Sequence, residues 1–259
     1  MMTILKKIIT NILKQNGYSI QNNTHESLNE NNILYPLAEN LFNIQGSENF
    51  FFIQVGANLG LNGKLNDPLK AFILKNRNVS GVLIEPMIEY LNVVKGVYTE
   101  NNSLKFENIA LGEKDGELKL VRFKPGVSYV KDFYDGLATM KQNRVQLLIE
   151  RAKKDNTEEF LEEINVPVFT PLYLKSKYNI SSVSLLQIDT EGFDYIIVKS
   201  FIDNGFTPAI INFEYTELTK TELDSCLKLL KASGYYLVKH GADILAVYKQ
   251  SGIFPLNDD

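Results

Sequence analysis

From residue 49 onward, short and continuously apolar runs alternate with segments of helical period, and this alternation constrains the fold more than any other feature. The runs cover residues 50–55, 80–84, 104–111, 118–123, 183–188, 209–213, 235–239 and 244–248. Several are apolar at successive rather than alternate positions, as strands covered on both faces require. Strands separated by helices imply a doubly wound α/β sheet with right-handed crossovers. Helix ends are legible between them. Asp67-Pro68 offers an N-cap followed by Pro at the first helical position, and Thr219 with Glu222 makes a capping box, with Gly234 as the stop. The last two runs are joined only by His240-Gly241-Ala242-Asp243, a tight hairpin. A parallel sheet closing in an antiparallel hairpin departs from the ordinary dinucleotide-binding pattern.

Residues 1–48 lack the alternation and read as an N-terminal helical extension with a polar, Asn-rich break at 21–32, leaving 49–259 as the main domain. Ile4, Leu5, Ile8, Ile9, Ile12 and Leu13 fall at helical spacing with Lys6, Lys7 and Lys14 between them. Such a stripe is expected to pack on its own domain or in a homodimer rather than on a membrane surface. No apolar run approaches the roughly 20 residues of a membrane span, and no signal-peptide pattern is present, so a cytoplasmic protein is expected. A second excursion, at about 124–178, holds a loop around Pro125-Gly126-Val127-Ser128-Tyr129 and a charged helical stretch over 140–163, either an active-site lid or a packing helix.

A formal net charge of −4 argues against a nucleic-acid-binding face. The densest basic cluster, Arg151, Lys153 and Lys154, runs straight into Asp155, Glu158 and Glu159, as a solvated helix face does. The sole cysteine, Cys226, shares a helical stripe with Leu223, Leu227 and Leu230, so a buried, inert thiol is expected.

The chemistry is concentrated at the ends of the apolar runs. The first ends in Gly56-Ala57-Asn58-Leu59-Gly60, where missing Cβ atoms let the backbone turn tightly and approach a ligand. It is not the Gly-x-Gly-x-x-Gly dinucleotide fingerprint. The second ends in Glu85-Pro86, an acid placed to accept the two hydroxyls of a ribose, as in sites for NAD and S-adenosylmethionine (SAM) alike. Later runs end in Asp189-Thr190-Glu191-Gly192 and in Glu214. Asp189, Glu191 and Glu214 thus share one rim, where one can act as general base or the three can hold a divalent metal through oxygen. One of the three is expected to be structural, capping a helix or pairing with a lysine. His240 is an alternative base, expected at a solvated hairpin tip; His25 has no companion.

Taken in order, Val55-Gly56-Ala57-Asn58-Leu59-Gly60, Glu85-Pro86, Asn108-Ile109-Ala110-Leu111-Gly112, Ile188 through Gly192 and Phe213-Glu214 resemble the FkbM family of SAM-dependent methyltransferases. Asn66-Asp67-Pro68 and Gly136-Leu137-Ala138-Thr139 resemble one branch of it. The likeness spans about 50–248. It implies a class I methyltransferase (Rossmann-like) fold: a seven-stranded sheet with an antiparallel last strand, here with N-terminal helices and a helical insertion added. It also implies Gly56, Ala57, Asn58 and Gly60 against the methionine part of SAM, Glu85 and Pro86 at the ribose, and Asn108 to Ala110 near the adenine. Members mostly methylate hydroxyls of sugars or natural products. Phe193-Asp194 and Thr170-Pro171-Leu172 depart from the common pattern, on the substrate side. Two other readings stay open: an NAD-linked oxidoreductase, and a SAM-binding module without turnover.

Overall fold

The computed structural model describes residues 33–65, 67–126, 138–139 and 142–251. The N-terminal stripe, His25, Asn66, Tyr129, Lys131 and Tyr134 lie outside them, and Thr139 is described in its backbone alone. The strands are β1 (Phe51–Val55), β2 (Ser80–Ile84), β3 (Leu104–Glu107), β4 (Ala110–Leu111), β5 (Gly116–Phe123), β6 (Ala138–Thr139), β7 (Leu161–Phe169), β8 (Leu185–Ile188), β9 (Ile210–Glu214), β10 (Tyr235–His240) and β11 (Asp243–Tyr248). The helices are α1 (Leu34–Gln45), α2 (Lys70–Lys75), α3 (Ile88–Val97), α4 (Gln142–Asp155), α5 (Pro171–Tyr178), α6 (Asp194–Asp203) and α7 (Lys220–Ala232).

One seven-stranded sheet runs in the order β3-β2-β1-β8-β9-β11-β10. Every neighbouring pair is parallel except those of β11, which is antiparallel to both β9 and β10. Its strands are buried almost throughout because helices cover both faces. On one face α1, α2 and α3 bring Leu34, Leu37, Leu41, Phe72, Ile73 and Val94 onto Phe52, Leu83, Leu185 and Ile210. On the other, α5, α6 and α7 set Leu174, Ile197, Phe201, Cys226 and Leu230 against Ile53, Ile84, Ile188 and Phe213. Each such side chain contributes roughly 1.5–3 kcal/mol when fully buried. Cys226 is buried as expected, and burial pushes its thiol up to about 12.

The capping box forms as the sequence predicts: Thr219 accepts from Glu222 N, and Glu222 accepts from Thr219 N at 2.7 Å. Asp67 works differently. Helix α2 begins only at Lys70, and the Asp67 carboxylate accepts from Leu69 N (2.8 Å), bracing the turn before it.

Four features differ from what the sequence predicts. The run at 104–111 is two strands: after Glu107 the chain leaves the main sheet, and β4 pairs with β7 in a second sheet of order β4-β7-β5-β6. The run at 118–123 also belongs to that second sheet. The helical stretch expected over 140–163 ends at Asp155, and Leu161–Phe169 is a nine-residue strand antiparallel to β5. Its charged Glu162 and Glu163 face solvent-accessible positions while Val166 and Val168 join Ala110 and Leu120 in a small separate core. Finally, His240 is not solvated: it is only 8% exposed, because the hairpin packs back on the sheet.

That burial belongs to a row of polar side chains inside the sheet. Gln54, Gln187 and Asn212 stand in register on β1, β8 and β9, one face of three adjacent strands. Asn212, fully buried, donates to Gln187 Oε1 (2.9 Å) and Asp243 Oδ2 (3.0 Å) and accepts from His240 Nε2 (2.9 Å). Gln54 donates to Asp67. A buried amide with every partner in place stabilises, whereas removing it strands each partner. Asn212→Leu should therefore cost about 3 kcal/mol in urea denaturation; a loss below about 1 kcal/mol would show that the row does not hold the hairpin to the sheet.

Candidate active site

The carboxyl ends of β1, β2, β8 and β9 meet at one edge of the sheet. At the end of β1 the backbone hooks over β2, with Gly56 N and Ala57 N both donating to Ile84 O (2.9 and 3.0 Å). Gly56 has φ +83°, and a Cβ there would sit 1.8 Å from the carbonyl oxygen of Asp189. Asp189 N in turn donates to Val55 O (2.9 Å). The loops after β1 and β8 are thus in backbone contact, which only glycine permits. Asn58 Oδ1 accepts from Gly60 N (2.8 Å), closing a local turn, while Ala57 and Leu59 point into the core.

Glu85 follows β2 and is 2% exposed. Its Oε1 accepts from Met87 N (2.9 Å), the one hydrogen bond to its carboxyl group among the described residues. Burial pushes this carboxyl up to about 8; Met87 N–H and the Arg122 guanidinium oppose the rise and Glu89 adds to it. Asn108, expected near an adenine, has its amide engaged: Nδ2 donates to the carbonyls of Glu85 (3.0 Å) and Pro86 (2.8 Å) and so braces the turn. Ala110 starts β4, two residues further on.

Asp189, Glu191 and Glu214 do share a rim, and the structure adds Asp194 and Asp243 to it. Burial comes first among the causes that raise Asp189 well above the usual carboxylate range, and Asp194, Glu191, Glu214 and Asp243 follow. Asp189 nevertheless exposes surface to solvent. Glu191 takes the left-handed conformation (φ +53°) ahead of Gly192 (φ +100°). Asp194 is fully buried, its Oδ2 accepting from Thr190 Oγ1 (3.1 Å) and Gly192 N (3.3 Å), and burial moves it to about 7. Asp194 is thus a structural acid, tied into the turn that carries Glu191. Glu214 accepts from Thr216 Oγ1. Among the described residues, no three of these acids lie close enough together to form a metal-binding group.

The polar row was findable: Gln54, Gln187 and Asn212 each interrupt an otherwise apolar run near its end. Asp243 needed the register, which sets it opposite Glu214.

Counted along the main sheet alone, the strand order is 3-2-1-4-5-7-6 with the seventh antiparallel. Together with a glycine loop after the first strand and an acid after the second, this defines a class I SAM-dependent methyltransferase fold. A family model described as "Methyltransferase FkbM domain" matches residues 54–237, and the chain belongs to that family. Among solved structures it is similar to the O-methyltransferase from Bacillus cereus in complex with SAH (9% identity over 94% of this chain and 91% of that one, TM-score 0.40). It is also similar to a Methanococcus jannaschii fibrillarin pre-rRNA processing protein (10%, 81% and 73%, TM-score 0.38). A third is a putative class I SAM-dependent methyltransferase from Listeria monocytogenes (11%, 98% and 71%, TM-score 0.38). A comparison with curated proteins gave no match. Among the described residues no helix is long and apolar enough to cross a membrane.

The buried acids carry a pH signature. Glu85 and Asp194 are held above their ordinary values of 4.5 and 3.8, so each binds its proton more tightly folded than unfolded. The stability they contribute is full below the ordinary values and is lost as pH rises through about 7 and about 8. The ligand-free protein should therefore resist urea better near pH 6 than near pH 8.5, and Glu85→Gln should flatten the upper part of that loss. Stability that rises over this interval would contradict the assignment.

Proposed function

We propose that this protein transfers the methyl group of SAM to a hydroxyl on a sugar, glycan or natural-product acceptor. The observation that carries the reading is the joining, across the Gly56–Asp189 backbone contact, of a buried ribose-type acid and a rim of carboxylates. Glu85 presents Oε2 to the ribose hydroxyls, Gly56 to Gly60 line the methionine part, and the Asn108 to Ala110 stretch borders the adenine. Bound there, SAM supplies an electrophilic methyl carbon on a positively charged sulfur.

The rim complements that charge. Asp189, Glu191, Glu214 and Asp243 repel one another when the cleft is empty, and a sulfonium relieves part of the repulsion. Asp189 is the acid open to solvent, and its raised proton affinity suits it to take the acceptor's hydroxyl proton. The acceptor oxygen forms its bond to the methyl carbon, the carbon–sulfur bond breaks with its electron pair going to sulfur, and the proton passes to Asp189. Alignment requires the oxygen at roughly 3 Å from that carbon, with Glu191 and Glu214 setting the field around it. The hydroxyl acceptor rests on family likeness and on a carboxylate base at hand.

Family membership, the missing dinucleotide fingerprint and the closing hairpin speak against NAD chemistry. SAM and S-adenosylhomocysteine should raise the melting temperature where NAD does not, and labelled methyl should pass from SAM to hydroxylated sugar acceptors. Asp189→Asn should abolish that transfer while leaving SAM affinity within a few fold. Unchanged turnover in Asp189→Asn would sink the base assignment, and SAM binding without transfer to any acceptor would favour a binding module.

A further inference from the structure

The second sheet reaches the cofactor side of the cleft through one residue. Arg122 lies on β5 with its side chain only 7% exposed. Its Nη1 and Nη2 donate to the two oxygens of Glu89 (2.8 and 3.1 Å), and its Nε donates to Glu162 Oε1 (2.9 Å). Glu162 is its cross-strand partner on β7, and Glu89 sits in the first turn of α3, four residues beyond Glu85. A planar guanidinium gripping a carboxylate at two points fixes orientation as well as distance, which a lysine cannot do.

The segment from Glu85 to Glu89 is consequently held at both ends. Asn108 holds the carbonyls of Glu85 and Pro86, and Arg122 holds Glu89. Arg122 also acts directly on the Glu85 carboxyl, against the pull of burial. On its other side, β6 pairs with β5 at this very position, Arg122 opposite Ala138, so the insertion's returning strand rests on the same residue. These contacts join the second sheet to α3, and none of them is a strand pairing of the main sheet.

We propose that Arg122 is a positioning residue for the cofactor: through Glu89 it fixes the turn that presents Glu85, and so sets how strongly the site engages the ribose hydroxyls. This rests on the reading of Glu85 as the ribose acid. Arg122 touches no ligand itself. It makes the second sheet part of the cofactor site rather than a buttress beside it.

The test is calorimetric titration of the full chain with S-adenosylhomocysteine and with its 2′,3′-dideoxy analogue. In the unmodified protein, loss of the hydroxyls should weaken binding about tenfold or more, the effect of hydrogen bonds to a charged group. Arg122→Met should weaken S-adenosylhomocysteine by about that factor while leaving the dideoxy analogue within about twofold, so that the preference collapses. A merely structural role would weaken both ligands equally, and a preserved preference overturns the proposal. Equal binding of the two ligands by the unmodified protein is a different failure, since it removes Glu85 from the ribose and with it the premise. Should Arg122→Met not fold, Arg122→Lys keeps the charge and loses the two-point grip; the preference must then fall severalfold, and an unchanged preference overturns the proposal.

Discussion

The contact between Gly56 and the carbonyl of Asp189 is the constraint on which the rest of the site depends. A Cβ at residue 56 would lie 1.8 Å from a backbone oxygen, and no rotamer change relieves a clash with backbone. Because that Cβ is absent, the loops after β1 and β8 can touch, and Glu85 after β2 and the acids after β8 and β9 stand at the same end of the sheet. A wider separation would leave a glycine loop and a cluster of carboxylates as two unrelated surface features. The hydrogen bonds from Gly56 and Ala57 to Ile84 and from Asp189 to Val55 then lock three strand ends to one another.

The electrostatics follow from that closeness. Five carboxylates gather where the strands end, and two of them, Asp189 and Asp194, are held above their ordinary proton affinity chiefly by burial and then by each other or their neighbours. A site of this kind stores repulsion in its empty state and gives it up to a cation. Asp194 shows how the fold limits the problem: its hydrogen bonds from Thr190 and Gly192 make it part of the turn, while Asp189 stays accessible. The polar row beneath, Gln187 to Asn212 to His240 and Asp243, carries the same logic into the sheet, where the Asn212 amide meets a partner at each of its atoms.

Much of the main sheet was legible because its strands are continuously apolar and its helix ends carry recognisable caps. The misreadings have physical causes. Ile109, Ala110 and Leu111 are as apolar as the strand before them, so nothing in the pattern marks the chain's departure from one sheet to another at Asn108. Glu162 and Glu163 made a strand look like the tail of a charged helix, although Val166 and Val168 alternate as strand residues do. His240 looked exposed because a hairpin tip usually is, and only the packing of β10 and β11 on Asn212 buries it. The rim acids after β8 and β9 were legible from strand ends alone; Asp243 was not, since its membership comes from pairing with Glu214. Arg122 left no sequence signal, because Glu89 and Glu162 lie 33 and 40 residues away from it.

The central claim is that one cleft joins a ribose acid to a rim that faces the reacting methyl group. A crystal structure with S-adenosylhomocysteine bound tests it most directly. The account predicts both ribose hydroxyls on Glu85, the methionine part along Gly56 to Gly60, and the sulfur turned toward Asp189. A ribose resting away from Glu85, or a sulfur facing away from the rim, would contradict it.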